Sequence, residues 1–195
     1  MLSKDNEMSS LEFHPLTSSR WNNLEQLFGP RGACGGCWCM WWRLPRSEFL
    51  RNRGEQNRKA LKNIVDSGKV PGVLAYLDSK PIGWCAFAPR NEYPTLERSR
   101  ILKKVDDNPV WSVACFFVAK EFRHKGVMVK LLQSVIEYVK HNGGKIVEGY
   151  PKDQTGKPSP DPFVFTGIAS SFHRVGFVEV ARRSDTRPIM RYRIA

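Results

Sequence analysis

One stretch constrains this chain more than any other: Val113 to Lys140, reading VACFFVAKEFRHKGVMVKLLQSVIEYVK. Its opening, Val113 to Val118, is apolar or nearly so and rich in β-branched and aromatic types, as a strand buried on both faces reads. Val127, Met128, Leu131, Leu132, Val135, Ile136 and Val139 then recur at spacings of three and four. That spacing predicts one apolar stripe on a helix closing at Gly143-Gly144. The join, Arg123-His124-Lys125-Gly126-Val127-Met128, falls on the first helical turn, where the leading N–H groups lack intrahelical partners and the dipole presents its positive end. Such a turn can cradle an anion. Gly126 lets a phosphate approach the backbone, and Arg123, Lys125 and His124 add charge around it. Joins of this kind occur in any α/β protein, so the turn alone names nothing.

The rest of the chain supplies a frame. Leu11 to Leu16 alternates and reads as a short edge strand ended by Pro15. Thr17, Ser18 or Ser19 can cap a helix carrying Trp21, Leu24, Leu27 and Phe28, which Gly29-Pro30 stops. Beyond the segment Gly32 to Arg43, a second helical region starts at Ser47, breaks at Gly54 and continues through Ala60, Leu61, Ile64 and Val65 to Gly68. Gly72–Leu77 and Ile82–Ala88 form a hairpin about Asp78-Ser79-Lys80-Pro81, and the charged stretch 89–108 shows no periodicity. Lys145 to Tyr150 makes the strand after the long helix. Strand, helix, strand in that order implies a parallel pair with a right-handed crossover, and a ligand at the carboxyl end of the central strand. Residues 151–162, PKDQTGKPSPDP, form a Pro-rich loop, either a lid or a surface excursion. Phe165 to Val175 reads as a helix stopped by Gly176, and Phe177–Arg182 with Ile189–Ile194 as a closing antiparallel pair.

Composition narrows the class. A chain of 195 residues, 41% hydrophobic and 26% charged, suits one domain over residues 1–195 with a sizeable core. Its apolar runs fall short of the roughly 20 residues a membrane span needs, and the start MLSKDNEMSS lacks the apolar segment of a secretory signal. A soluble, cytoplasmic protein is expected, with no membrane partner. Five cysteines fit a reducing compartment better than a disulfide framework. The net charge of +12 comes from scattered Lys and Arg rather than a run with interleaved aromatics, which argues against nucleic acid and leaves a polyanionic cofactor as one consumer of the excess.

The wording V-x-x-x-x-R-x-x-G-V, Val118 to Val127, resembles the acyl-CoA pyrophosphate loop of the GNAT superfamily of N-acetyltransferases. Met128 stands where the family usually has Gly or Ala. The element order strand, helix, helix, three strands, helix, strand, helix, strand, strand is similar to that fold from end to end, and Phe172-x-x-x-Gly176-Phe177 resembles its turn before the sixth strand. Cys34 to Arg43, with Gly-Cys-Trp-Cys-Met-Trp-Trp-Arg, resembles a bacterial branch of the same superfamily. The resemblance implies an α/β (α+β) fold: a mixed, mostly antiparallel central sheet with a parallel splayed pair, flanked by helices. It also implies transfer of an acetyl group from acetyl-CoA to a primary amine, small molecule or peptide; whether the chain acts as a monomer or homodimer is left open by the sequence.

On that resemblance the backbone at Phe116, Phe117 and Val118 would pair with the pantetheine arm, and Arg123, His124, Lys125, Gly126, Val127 and Met128 would hold the diphosphate. The thioester would sit between Cys115–Val118 and Val147–Tyr150. Attack by an amine needs a proton acceptor, for which Glu148 is the first candidate and Glu92 a second; an outward-facing strand residue is the plain alternative for Glu148. The family commonly protonates the leaving thiolate from a Tyr at the position that Phe172 fills here, so Tyr150, or else His173, would take that role. Cys115 is read as a small core residue rather than a nucleophile.

Cys34, Cys37 and Cys39 have spacing that suits a soft metal, but no second pair or nearby His completes a set of four, so no metal is expected. Placed in the loop between the first two helical regions, Trp38, Trp41 and Trp42 would wall an acceptor pocket, with Arg43 available to an acidic group; the alternative is that the indoles fill core volume. Two other classes stand beside the enzyme: a non-catalytic acyl-CoA-binding module and a Cys-cluster metal protein that binds nucleic acid.

Overall fold

Strand alternation and β-branched content drive seven segments into one sheet with the order β1-β2-β3-β4-β5-β7-β6 in the computed structural model, which describes residues 11–153 and 165–195. The strands are β1 (Glu12–Pro15), β2 (Gly72–Leu77), β3 (Lys80–Pro89), β4 (Trp111–Val118), β5 (Ile146–Gly149), β6 (Val178–Arg182) and β7 (Pro188–Arg193). Every neighbouring pair is antiparallel except β4 and β5. The helices are α1 (Trp21–Phe28), α2 (Arg46–Arg51), α3 (Glu55–Asp66), α4 (Pro94–Glu97), α5 (Val127–His141) and α6 (Ala169–Val175). This is the mixed architecture with a parallel pair that the element order predicts. β1 occupies the sheet edge, where Pro15 removes no interior ladder bond. The polar start and most of the Pro-rich stretch 151–162 lie outside the described residues.

Two packed layers flank the sheet. Val127, Leu131, Leu132, Val135, Ile136 and Val139 of α5 are buried against Val73, Ala75, Ile82, Cys85, Phe87, Val113 and Val147. On the other face Trp21, Leu24, Phe28, Leu61 and Val65 pack with Trp38, Met40, Leu74 and Trp84. A third cluster forms where Tyr93, Leu96 and Leu102 from the charged stretch cover Ala114, Tyr150 and Ile189. That stretch folds because Pro89 and Pro94 set up short turns that bury Tyr93 and Leu96, a pattern too brief to show periodicity.

Three local outcomes differ from the sequence reading. The β2–β3 turn is two residues, Asp78 and Ser79, both at positive φ, so the strand resumes at Lys80 rather than Ile82; that backbone matches the twist of a tight hairpin. Thr17 precedes a single turn over Ser18–Arg20 but its side chain caps nothing, because Thr17 Oγ1 bonds Ser19 Oγ instead. Residues 165–168 are not helical: Gly167 lies at φ +90 and Ile168 is extended, so the helix begins at Ala169. Among the described residues no helix is long and apolar enough to cross a membrane.

Candidate active site

Parallel pairing of β4 with β5 covers only Trp111↔Val147, Ser112↔Glu148 and Val113↔Gly149. Past that point β5 ends, while β4 stays paired to β3 as far as Val118↔Gly83. The strand is also bulged there: Ala86 faces Cys115 and Phe87 faces Val113, which leaves Ala114 as the extra residue. A bulge kinks its strand and re-aims the groups after it. The edge of β4 from Phe116 onward therefore opens away from β5. Trp42 Nε1 donates to the Ala114 carbonyl at 3.1 Å and ties the bulge to the loop before α2. The Phe116 N–H donates to the Phe165 carbonyl at 2.6 Å.

The turn between β4 and α5 has the geometry of an anion nest. His124 and Gly126 both adopt left-handed φ, +59 and +79, and Gly126 is the N-cap of α5. Among the described residues no carbonyl accepts from the N–H groups of His124, Lys125, Gly126, Val127 or Met128. Five successive amides in such a turn, at the positive end of a 15-residue helix, form a concave set of donors suited to a phosphate. Arg123 Nε bonds the Val118 carbonyl at 3.0 Å, and Lys125 Nζ stands 5.4 Å from the Phe122 ring centre. Both cations border the nest. Val127 turns into the core and Met128 is half-buried beside it.

Behind the gap lies a buried polar network. Glu148, 1% exposed, accepts from Arg90 Nη1 at 3.0 Å, from Arg191 Nε at 2.7 Å and from the Tyr150 hydroxyl at 2.6 Å. Tyr150 Oη also accepts from Arg90 at 2.7 Å and lies 2.7 Å from Ser112 Oγ. Burial first, then the Glu148 carboxylate beside it, push the Tyr150 phenol well above its ordinary pKa. Outward from this centre Arg90 pairs with Glu97 and Arg191 with Asp106. A cavity of about 610 Å³ opens over the group, lined among others by Pro89, Arg90, Glu97, Asp106, Glu148 and Arg191.

Glu148, the first candidate for proton acceptor, is held inside this network rather than facing outward from the strand. Both its oxygens are engaged, because the alternation of β5 points it at Arg191 across the β7 register and at Arg90 from the turn after β3. Tyr150 closes the same network, with its side chain fully buried. Glu92 is not available either. Burial works against its charge, but bonds from Arg43 and Lys69 outweigh this and hold its carboxyl below the usual range.

The aromatic segment is corrected in part. Trp38 is 6% exposed and stacks on Trp21 with centroids 6.0 Å apart, so it fills core volume rather than walling an acceptor pocket. The physical reason is local: Trp38 and Cys39 are consecutive left-handed residues, and Gly32 leaves room for the indole. Trp41 is half-buried, edge-on to Phe49 and beneath Arg46. Arg43, expected to be available to substrate, is instead bound to Glu92 at 2.9 Å and lies over the Tyr93 ring. Only Trp42 of these reaches the gap.

Cys37, Cys39 and Cys115 form a thiol cluster, with Trp84 Nε1 donating to Cys39 Sγ at 3.1 Å. The Cys115 thiol and burial push Cys39 up, and the Cys39 thiol and burial push Cys37 up. Among the described residues no group of three or more His, Cys, Asp or Glu is placed to hold a metal ion. Ser112, Arg90, Arg191 and Asp106 went unnoticed in the sequence. The one signal for Arg191 was its inward position on an alternating strand, and its meaning needs the β5–β7 register.

Comparison with known proteins agrees with this geometry. Residues 38–152 match the acetyltransferase (GNAT) family. Among curated proteins no sequence relative matches. Solved structures share the fold. A GNAT-family acetyltransferase of Streptococcus agalactiae superposes with TM-score 0.56 at 11% identity, covering 95% of this chain and 96% of its own. The paiA N-acetyltransferase of Thermoplasma acidophilum, in complex with coenzyme A, gives 0.52 at 16%, covering 95% and 99%. NAA60 of Arabidopsis thaliana, in complex with acetyl-CoA, gives 0.51 at 15%, covering 94% and 99%.

Proposed function

The chain belongs to the GNAT acetyltransferase family, and on that premise we propose that it transfers acetyl from acetyl-CoA to a primary amine with both substrates bound. The observation that carries this reading is the run of five amides, His124 to Met128, at the mouth of α5, from which no carbonyl among the described residues accepts. It supports a site for the cofactor's diphosphate, with Arg123 and Lys125 adding charge. Phe116, Phe117 and Val118 lie on the edge of β4 beyond the reach of β5, the edge the pantetheine arm would pair with as an added strand does. Two of the fold relatives bind coenzyme A or acetyl-CoA. Residues 1–195 are taken as one such domain, because those relatives cover nearly all of it.

In the proposed reaction the amine nitrogen attacks the thioester carbonyl carbon, the new C–N bond forms, the C–S bond breaks and coenzyme A leaves as thiolate. Tyr150 keeps its phenol proton at neutral pH and gives it to the thiolate. Glu148, Arg90 and Ser112 hold that hydroxyl in place, and the proton it gives up is replaced by the one the amine sheds. With Glu148 so engaged, water in the adjoining cavity takes the amine's proton. The acceptor, a small molecule or a peptide, approaches past Trp42. Five cysteines without a disulfide support a cytoplasmic location.

A second reading, a non-catalytic acyl-CoA-binding module, is favoured by Phe172, fully buried where the resemblance leads one to look for a Tyr. One experiment tests both: release of free coenzyme A from acetyl-CoA in the presence of a panel of amines. Amine-dependent release that falls in Tyr150→Phe supports the enzyme and its acid. Tight binding of acetyl-CoA with no release by any amine supports the module.

A further inference from the structure

We propose that the main chain at Phe165–Gly167 is a strap lying in the acyl-CoA groove, which must leave the edge of β4 before acetyl-CoA can pair there; this rests on the reading of that edge as the pantetheine track. Just where β5 stops accompanying β4, the Phe116 N–H is taken by the Phe165 carbonyl at 2.6 Å. This lies at the short end for an amide donor. An N–H carries one hydrogen, so a pantetheine carbonyl and the Phe165 carbonyl cannot both hold it in a linear bond.

The strap is fixed from both ends. Phe165 lies against Trp42, ring centres 6.4 Å apart. The Thr166 hydroxyl, fully buried, accepts from Arg187 Nη1 at 2.7 Å. Gly167 passes so close to Phe172 and Phe116 that a Cβ there would stand 2.7 and 3.0 Å from their rings. Its carbonyl accepts from the Lys152 N–H at 2.8 Å, and the Ala169 N–H returns to Lys152 at 3.0 Å. These anchors come from the loop before α2, the β6–β7 turn and the exit of β5, all outside the amide nest.

Competition within the chain has a distinctive sign. When only the open fraction can bind, the apparent Kd is the intrinsic Kd divided by that fraction, so a strap closed nine-tenths of the time weakens binding about tenfold. Loosening an anchor therefore tightens acetyl-CoA, whereas damaging a binding residue weakens it.

The test is calorimetry of acetyl-CoA with the full chain, its Thr166→Val variant and its Phe165→Ala variant, beside hydrogen exchange of the Phe116 amide without ligand. The expected result is a Kd lower by about three- to tenfold in at least one variant. Exchange at Phe116 should be slow in the parent and faster in that variant. Heat in the parent with unchanged or weaker affinity in both natively folded variants overturns the strap and leaves the acyl-CoA site standing. No heat in any of the three overturns the acyl-CoA reading, and the strap falls with it.

Discussion

Arg191 on β7 stands directly across the ladder from Glu148 on β5 and donates its Nε to Oε2 at 2.7 Å. Both side chains are almost fully buried, and Arg90 closes the other side of the carboxylate. Taking one partner from a buried pair leaves an uncompensated charge and costs about 3–5 kcal/mol. Glu97 and Asp106 still face Arg90 and Arg191, so Glu148→Gln is expected at the lower end, about 3 kcal/mol, in urea denaturation. Full stability with turnover reduced a hundredfold or more would instead make Glu148 the direct base.

Gly126 sits at φ +79 in the middle of the amide nest. Gly126→Glu places a carboxylate where the diphosphate is proposed to lie, and like charge opposes binding. The left-handed backbone adds a strain of about 1–2 kcal/mol to the folded state. Acetyl-CoA affinity is expected to fall by more than about a hundredfold, which corresponds to roughly 2.7 kcal/mol, with the circular dichroism spectrum unchanged. Unaltered affinity would remove the diphosphate from this turn.

Acid stability should depend on Asp106. Its bonds from Arg191, chiefly, and from Asn108 hold its carboxyl well below the ordinary range. In the unfolded chain the group titrates near its usual value of about 3.9. Between the two the unfolded state binds the extra proton, so stability rises with pH. Asp106's contribution is therefore complete from about pH 5 upward and is lost as pH falls toward the depressed folded value. Asp106→Asn should flatten this part of the acid branch of a stability-against-pH curve and leave the neutral region's slope unchanged.

The features legible in the sequence were those carried by local pattern. The stripe Val127 to Val139 predicted the buried face of α5, and Gly126 predicted its mouth. Residues whose meaning lies in long-range pairing were not legible. Arg90 follows Pro89 in a stretch without periodicity, yet the turn there drives it beneath Leu102 and onto Glu148. Trp38 and Arg43 looked like surface chemistry because a Gly- and Cys-rich segment reads as a loop. The fold instead uses the left-handed backbone at Trp38 and Cys39 to tuck the segment into the core. Phe165 read as helical because Gly167's positive φ cannot be inferred from hydrophobic spacing.

Phe172 allows the leaving-group assignment to be tested by addition rather than removal. Its ring is fully buried, 5.0 Å from Phe177 and 6.1 Å from Phe116 between ring centres, and its leading edge meets Gly149 so closely that any side chain there would overlap it. A hydroxyl added to that edge enters a packed space at the end of β5, where insertion of extra volume costs about 1–3 kcal/mol. Without a partner it also bears the desolvation penalty of a buried donor, of the same order. Phe172→Tyr is therefore expected to lower the thermal midpoint while leaving amine-dependent release of coenzyme A no faster than in the parent. The contrasting variant is Tyr150→Phe, which removes the hydroxyl shared by Glu148, Arg90 and Ser112 and should slow release. Faster turnover in Phe172→Tyr would mean that the new hydroxyl reaches the thiolate, and the acid would then belong on α6 rather than at the end of β5.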